Sequence, residues 1–285
     1  MKQFIAIDIG GTNIKYGIVS QNGDVLSGKE ISTPASVPGT VFLETLASIV
    51  RELRTEETAG IGIATLGAVD VKKGCVIGMC DNLPIIKNLP IAEYLQKTFA
   101  LPVSVMNDVN ATALGEAEFG AGKGLDTFFC VTLGTGIGGA YVYGGSVVNG
   151  VHGTAGEVGY LWSGRGKCYE QRASAKCFSE ESKLLGTHEE KVLEPALKGE
   201  PVYADLVRRW TNEVALGIAD IIYVLDPGTI ILGGAVSALG RLLTDRIGEK
   251  LEEVLHPDFR GTVTILPAEN GNASNMLGAI TPFLK

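Results

Sequence analysis

The feature that most restricts the fold is a short unit that occurs twice. Residues 4–8 form an apolar, β-prone run that ends in Gly10-Gly11-Thr12, and a second β-prone run over 16–19 follows before the turn signal Asn22-Gly23. From residue 128 the same order returns: an apolar run over 128–133, a glycine turn over 134–139, a β run over 141–143 and a second turn at Gly144-Gly145. Setting Gly10 opposite Gly134 aligns the two units. Weak identity with matched order is the trace that two copies of one domain leave.

Between the two units the pattern alternates. Leu43, Leu46, Ala47, Val50 and Leu53 recur at helical spacing, 61–64 reads as a buried strand, 91–99 is again helical and 103–106 is a strand after the Pro102 break. Asn107-Asp108 stands where that strand hands over to a helix running to about residue 119. Strand-helix alternation of this kind predicts an α/β fold. The second half carries a polar, glycine-rich loop over 149–174, a helical stretch, a strong helix over 203–225, a strand over 230–232 closed by Gly233-Gly234, and a final helix from 275. The expected organisation is a small α/β domain over 1–112 and a larger one over 113–274, with the helix at 275–285 returning to the first and a hinge near 107–120.

Composition narrows the function classes. A chain of 285 residues with 45% apolar content suits about two domains with real cores, which excludes whole-chain disorder. Its 24 basic and 32 acidic residues give a net charge of −8, so nucleic acid is not an expected partner. Five cysteines, at 75, 80, 130, 168 and 177, form no disulfide framework and point to a reducing, cytoplasmic setting. The N-terminus does not read as a signal peptide, and no apolar stretch approaches the roughly 20 residues of a membrane span. Glycine is the outlier, at 38 of 285 residues, which predicts many tight turns or close approaches of backbone to ligand.

Those glycines sit beside groups suited to phosphate. The stretch Asp8-Ile9-Gly10-Gly11-Thr12-Asn13-Ile14-Lys15 joins a strand-end carboxylate to two glycines, a hydroxyl and a lysine. Glycines let successive backbone amides face one concavity that suits an anion, Thr12 adds a donor, and Asp8 is placed to hold Mg²⁺ directly or through water. An ordinary hairpin with a strand-end aspartate is the alternative. The second turn, with Gly134, Thr135 and Gly136, admits the same two readings, and neither turn has the P-loop spacing. Gly233-Gly234 would let backbone approach a flat base, or it is simply a turn. Asn107-Asp108 projects from the carboxyl end of a strand, where α/β clefts open. Asp108 there is either a helix N-cap or a general base for a hydroxyl nucleophile oriented by Asn107.

Taken together, Asp8 to Lys15, Asn107-Asp108-Val109-Asn110-Ala111, Leu133-Gly134-Thr135-Gly136-Ile137-Gly138-Gly139, His152-Gly153-Thr154-Ala155-Gly156-Glu157 and Leu232-Gly233-Gly234 resemble, in order and over nearly the whole chain, the ROK family of sugar kinases and sugar-responsive repressors. The resemblance implies two ribonuclease-H-like α/β domains of the actin and hexokinase type, with a cleft that holds ATP·Mg²⁺ and a sugar. It implies Asp108 as the base, and Asn107, Glu157, Tyr160, Glu170 and Gly67 as sugar-binding residues. Asp8, Gly10, Gly11, Thr12, Lys15, Gly134, Thr135, Gly136, Gly233 and Gly234 are the implied nucleotide-binding set, and a homodimer is a reasonable assembly.

The departures from the family pattern are informative. Members commonly carry Glu-x-Gly-His and then Cys-x-Cys-Gly-x-x-Gly-Cys-x-Glu, whose thiolates and histidine hold a structural zinc. This chain has Glu157-Val158-Gly159-Tyr160 and then Ser163-Gly164-Arg165-Gly166-Lys167-Cys168-Tyr169-Glu170. A structural zinc needs about four ligands, so the joint loss of the histidine and two thiolates predicts that the metal is absent. A replacement trio of His152, Cys168 and Cys177 fits no standard spacing. Glu-x-Gly-Tyr is similar to the β-glucoside kinase branch, which implies phosphorylation of O6 of a hexose or β-glucoside. The alternatives are an N-acetylmannosamine or simple aldohexose kinase, and a non-catalytic sugar sensor.

Overall fold

The computed structural model describes residues 2–162, 166–188 and 192–284. The chain forms two compact units. The first comprises Met1–Phe119, Asn149–Ala155 and Asn272–Lys285. It is built on β1 (Gln3–Ile9), β2 (Asn13–Ser20) and β3 (Val25–Ser32), an antiparallel meander, followed by α1 (Gly39–Leu53) and β4 (Thr58–Thr65). A small hairpin of β5 (Ala68–Asp70) and β6 (Cys75–Gly78) precedes α2 (Ile91–Phe99), β7 (Val103–Asn107) and α3 (Asp108–Phe119). The sheet order is β3-β2-β1-β4-β7, with β4 parallel to both β1 and β7.

Strand β1 is apolar on both faces because both are covered. Ile5, Ile7 and Ile9 pack with Phe42 and Leu46 of α1 and Leu95 of α2, while Phe4 and Ala6 face the other way onto the final helix, α9 (Ser274–Ile280), at Met276, Leu277 and Ile280. Successive side chains alternate faces along a strand, so one seven-residue segment serves two cores. Helix α9 comes unusually near its neighbours. A Cβ on Gly278 would stand 1.7 Å from the Ala111 carbonyl oxygen of α3, and one on Gly62 of β4 would stand 2.2 Å from that of Ala279. The final helix thus lies in the first unit. The sequence-drawn boundary at 112 falls inside α3, which this unit contains whole.

The second unit, Gly120–Val148 and Gly156–Gly271, repeats the plan. Its strands are β8 (Phe128–Leu133), β9 (Ile137–Tyr143), β10 (Ser146–Val147), β11 (Thr229–Gly234) and β12 (Thr264–Pro267), in the order β10-β9-β8-β11-β12. The first three form antiparallel pairs and the last two add in parallel, as in the first unit. Its helices are α4 (Glu170–Ala173), α5 (Ala175–Leu184), α6 (Leu193–Leu197), α7 (Ala204–Leu225) and α8 (Arg241–Val254). Phe129, Val131 and Leu133 of β8 share one core with Val214, Ile218 and Ile222 of α7. The internal repeat in sequence is therefore a repeat of sheet topology.

Two local expectations change. The second glycine turn closes within residues 134–136, because Gly138 and Gly139 already pair with Thr132 and Val131 across the β8–β9 hairpin. Gly233 and Gly234 do not form a turn. They extend β11 and pair in parallel with Thr132 and Leu133. Among the described residues no helix is long and apolar enough to cross a membrane.

Candidate active site

In the first unit the parallel strands β1, β4 and β7 end together, with Thr65 in register with both Ile9 and Asn107. At about 4.8 Å per strand, Asp8 and the end of β7 lie roughly 10 Å apart across the sheet. Asp8 pairs in register with Lys15 of β2. The turn joining β1 and β2 is closed by the Gly10 amide donating to the Asn13 carbonyl at 3.0 Å, and is braced by Thr33, whose hydroxyl donates to the Gly10 carbonyl at 2.7 Å and whose amide donates to the Thr12 carbonyl at 2.8 Å. Gly10, Gly11 and Thr12 thus form a braced loop at the end of β1.

Burial pushes the Asp8 carboxyl above its ordinary range, and a hydrogen bond from Asn275 and the charge of Lys15 oppose that shift. A largely buried carboxylate whose charge is offset by Lys15 alone among the described residues is a site that a divalent metal suits. The chemistry of this carboxylate therefore fits a cation such as Mg²⁺.

The first turn of α3 is organised by Asn107 rather than Asp108. Asn107 Oδ1 accepts from the amides of Val109 at 2.9 Å and Asn110 at 3.1 Å, the second and third residues of the helix. That is N-cap geometry. The cap that the sequence offered to Asp108 is made by its neighbour, and Asp108 Oδ1 accepts from the Val109 amide at 2.9 Å. Asn107 Nδ2 donates to the Gly67 carbonyl at 3.0 Å. Gly67 holds φ +92°, and a Cβ there would come 2.7 Å from the Gly78 carbonyl oxygen, so this position requires glycine. With its oxygen occupied by the cap and one N–H by Gly67, Asn107 keeps one amide N–H for a ligand.

In the second unit the carboxyl ends of β8 and β11 lie side by side. Gly234, at φ +86°, approaches so closely that a Cβ would stand 2.4 Å from the Leu133 carbonyl oxygen. Gly134, Thr135 and Gly136 follow directly, with the Gly134 amide bonded to the Gly136 carbonyl at 3.0 Å. Glu170, the first residue of α4, turns into this corner. Its Oε2 accepts from the Ile137 amide at 3.4 Å and occupies the space beside Gly136 and Gly159. Glu157 lies near enough that its carboxyl is pushed up by burial and then by the Glu170 charge. Tyr160 ends a short turn at Val158–Tyr160 and is 55% exposed.

Within each unit, then, the sequence-predicted residues converge. Asp8, Gly10, Gly11, Thr12, Lys15, Gly67, Asn107 and Asp108 share one sheet end. Gly134, Thr135, Gly136, Glu157, Glu170, Gly233 and Gly234 share the other. The pattern of a family model covers residues 4–285, which decides the matter. The chain belongs to the ROK family.

As a ROK protein it has full-length relatives. It is 30% identical over 306 residues to the glucokinase of Streptomyces coelicolor, covering 96% of this chain and 95% of that one. It is 30% identical over 295 residues to the β-glucoside kinase of Listeria innocua, covering 98% and 97%. Among solved structures it is similar to a ROK family glucokinase from Streptomyces griseus in complex with glucose and AMPPNP, at 30% identity, a TM-score of 0.81 and 97% coverage of both chains.

Of the segment compared with the family's zinc motif, Ser163, Gly164 and Arg165 lie outside the described residues. Among the described residues no group of three or more His, Cys, Asp or Glu side chains is placed to hold a metal ion. Cys168 is buried in the bridge between Trp162 and Cys168. Sequence reasoning missed Asn275, Thr112 and Thr33. Polar residues whose partners are 21 to 267 positions away carry no local signature.

Proposed function

We propose that this chain, an ATP-dependent carbohydrate kinase, transfers the γ-phosphoryl group of ATP to O6 of a hexose or β-glucoside, with Asp108 as general base. The observation that carries the reading is the start of α3. A carboxylate stands at the carboxyl end of the parallel edge strand β7, on a helix turn already capped by Asn107, so Asp108 is not needed to hold the helix. It accepts the hydroxyl proton as the sugar oxygen bonds to the γ-phosphorus and the bond to the ADP oxygen breaks. Bound Mg²⁺, held through Asp8, supplies neutralisation of phosphate charge.

The remaining residues bind and orient. Backbone amides of Gly11 and Thr12, with Lys15, and those of Thr135 and Gly136 act as donors to phosphate oxygens, while the amides of Gly10 and Gly134 close the turns that present them. Gly233 and Gly234 lack side chains where the nucleotide base would lie. The spare Asn107 N–H, the Gly67 backbone and the carboxylates of Glu157 and Glu170 serve sugar hydroxyls, since carboxylates accept such hydrogen bonds strongly. Tyr160 offers an exposed aromatic face to the aglycone of a β-glucoside.

The discriminating experiment is ADP release with glucose, fructose, N-acetylmannosamine, cellobiose and an aryl β-glucoside, followed by mapping of the phosphate position in the product. Turnover of glucose or the glucosides with O6 modified supports the reading. Turnover confined to N-acetylmannosamine, or none on any sugar, refutes it.

A further inference from the structure

In the second unit a hollow of about 360 Å³ opens between α4, α5 and α7, lined by residues other than those of the glycine turn. That volume falls in the range of about 300–1,000 Å³ usual for small-molecule sites. Its wall is cationic in a chain of net charge −8: Lys167, Arg172, Arg208 and Arg209 line it against Glu181 and Glu213.

The cations are only partly neutralised. Arg172 has 7% of its side chain exposed and pairs through Nη1 with Glu213, yet its buried Nε has no hydrogen-bond partner among the described residues. Arg209 meets Asp205 and Glu181 at 3.1 and 3.4 Å, and Arg208 shares Asp205 at 2.5 Å. Each guanidinium has five N–H groups, so donors remain on all three arginines. Lys167 is exposed. Phe178 and Trp210, tilted against each other at 5.0 Å between ring centres, give the hollow an apolar side.

Exposed Lys167 and the N–H groups that Arg208 and Arg209 have beyond their ion pairs match a tetrahedral oxyanion, and the volume exceeds what one bare ion fills. We propose that this hollow is a second ligand site that binds a phosphate group, carried by a small phosphomonoester such as a hexose phosphate or as inorganic phosphate. Binding there does not depend on the kinase reading.

The chain has two tryptophans, so a Trp162→Phe protein reports from Trp210 alone. Its fluorescence is titrated at constant ionic strength with inorganic phosphate, a hexose 6-phosphate and the unphosphorylated hexose. A saturable change with either phosphate compound, absent with the hexose and weakened tenfold or more by Lys167→Gln with Arg208→Gln, is the expected result. Both substituted side chains lie at the surface, and the melting temperature verifies that the variant folds. The tighter of the two phosphate compounds identifies the ligand. The same titration on Asp108→Asn keeps the signal if the hollow is the site, whatever becomes of catalysis. No saturable change, or a change that the double substitution leaves intact, overturns the proposal.

Discussion

Asn275, the second residue of α9, accepts a hydrogen bond from the Thr112 hydroxyl of α3 at 2.6 Å, and its side chain also bonds to the Asp8 carboxylate of β1. One amide group from the end of the chain thus joins the helix that begins with Asp108 to the strand that ends beside the first glycine turn. The close seating of α9 makes this reach possible. Neither bond could be found by local pattern, because the three residues lie more than a hundred positions apart.

Asn275→Ala should therefore act on the rate through Asp8. Burial raises the Asp8 carboxyl, and with the amide gone only Lys15 opposes it. The acid limb of the kcat/KM profile is expected to move to higher pH. At neutral pH the loss of a hydrogen bond to a charged group, about 1.5–3 kcal/mol, lowers turnover by roughly tenfold or more. A profile that keeps its acid limb in place would argue that Asp8 does not titrate in catalysis.

Asp108→Asn tests the base directly. Asparagine preserves shape, and the helix cap belongs to Asn107, so the variant should melt with the wild type. Loss of a general base lowers kcat by about 10² to 10⁴, and the sugar KM stays within a few-fold. Steady-state kinetics on the preferred sugar gives both numbers. A large change in KM with kcat preserved would make Asp108 a binding residue.

Much of the architecture could be read in the sequence, for physical reasons that also set its limits. Strand β8 and helix α2 are marked by uninterrupted or periodic apolar residues, so their bounds follow from burial. Strand β12, with mostly half-buried residues, and the three-residue β5 have no such signature. The glycine turns were legible because glycine clusters at strand ends have few other causes. That Gly233 and Gly234 continue a strand was not, since the pairing partner is set a hundred residues earlier. At the start of α3, either Asn107 or Asp108 could serve as cap, and only the backbone decides between them.

Two glycines separate packing from chemistry. At Gly278 an added methyl would meet the backbone of Ala111 at 1.7 Å, which cannot yield, so Gly278→Ala should force α9 from α3 and cost about 3 kcal/mol or more. At Gly136 the methyl would meet the tip of Glu170 at 2.6 Å, a flexible carboxylate that can swing aside. Gly136→Ala should leave the melting temperature nearly unchanged and raise the sugar KM as the displaced Glu170 loses its place. Calorimetry and kinetics on the two variants should show the effects reversed, stability lost in one and affinity in the other.

The pair Glu157 and Glu170 makes a prediction whose sign depends on pH. Burial and the Glu170 charge raise the Glu157 carboxyl above its ordinary value of 4.5 in the folded chain. Below that ordinary value the group is protonated folded and unfolded alike, and it costs the fold nothing. As pH rises the unfolded chain ionises first, so the fold loses stability until the folded carboxyl has ionised too, and the loss then stays constant. Glu157→Gln removes the ionisation. The variant should match the wild type in melting temperature near pH 4 and exceed it as pH rises, by a margin that levels off once the folded carboxyl has ionised. If Glu157 also accepts a sugar hydroxyl, the same change replaces a charge-assisted bond with a neutral one, and KM rises about tenfold at pH 8. A variant that is more stable but binds sugar more weakly is the behaviour of a carboxylate kept under strain for its ligand. A gain in stability with KM unchanged would place Glu157 outside the sugar site.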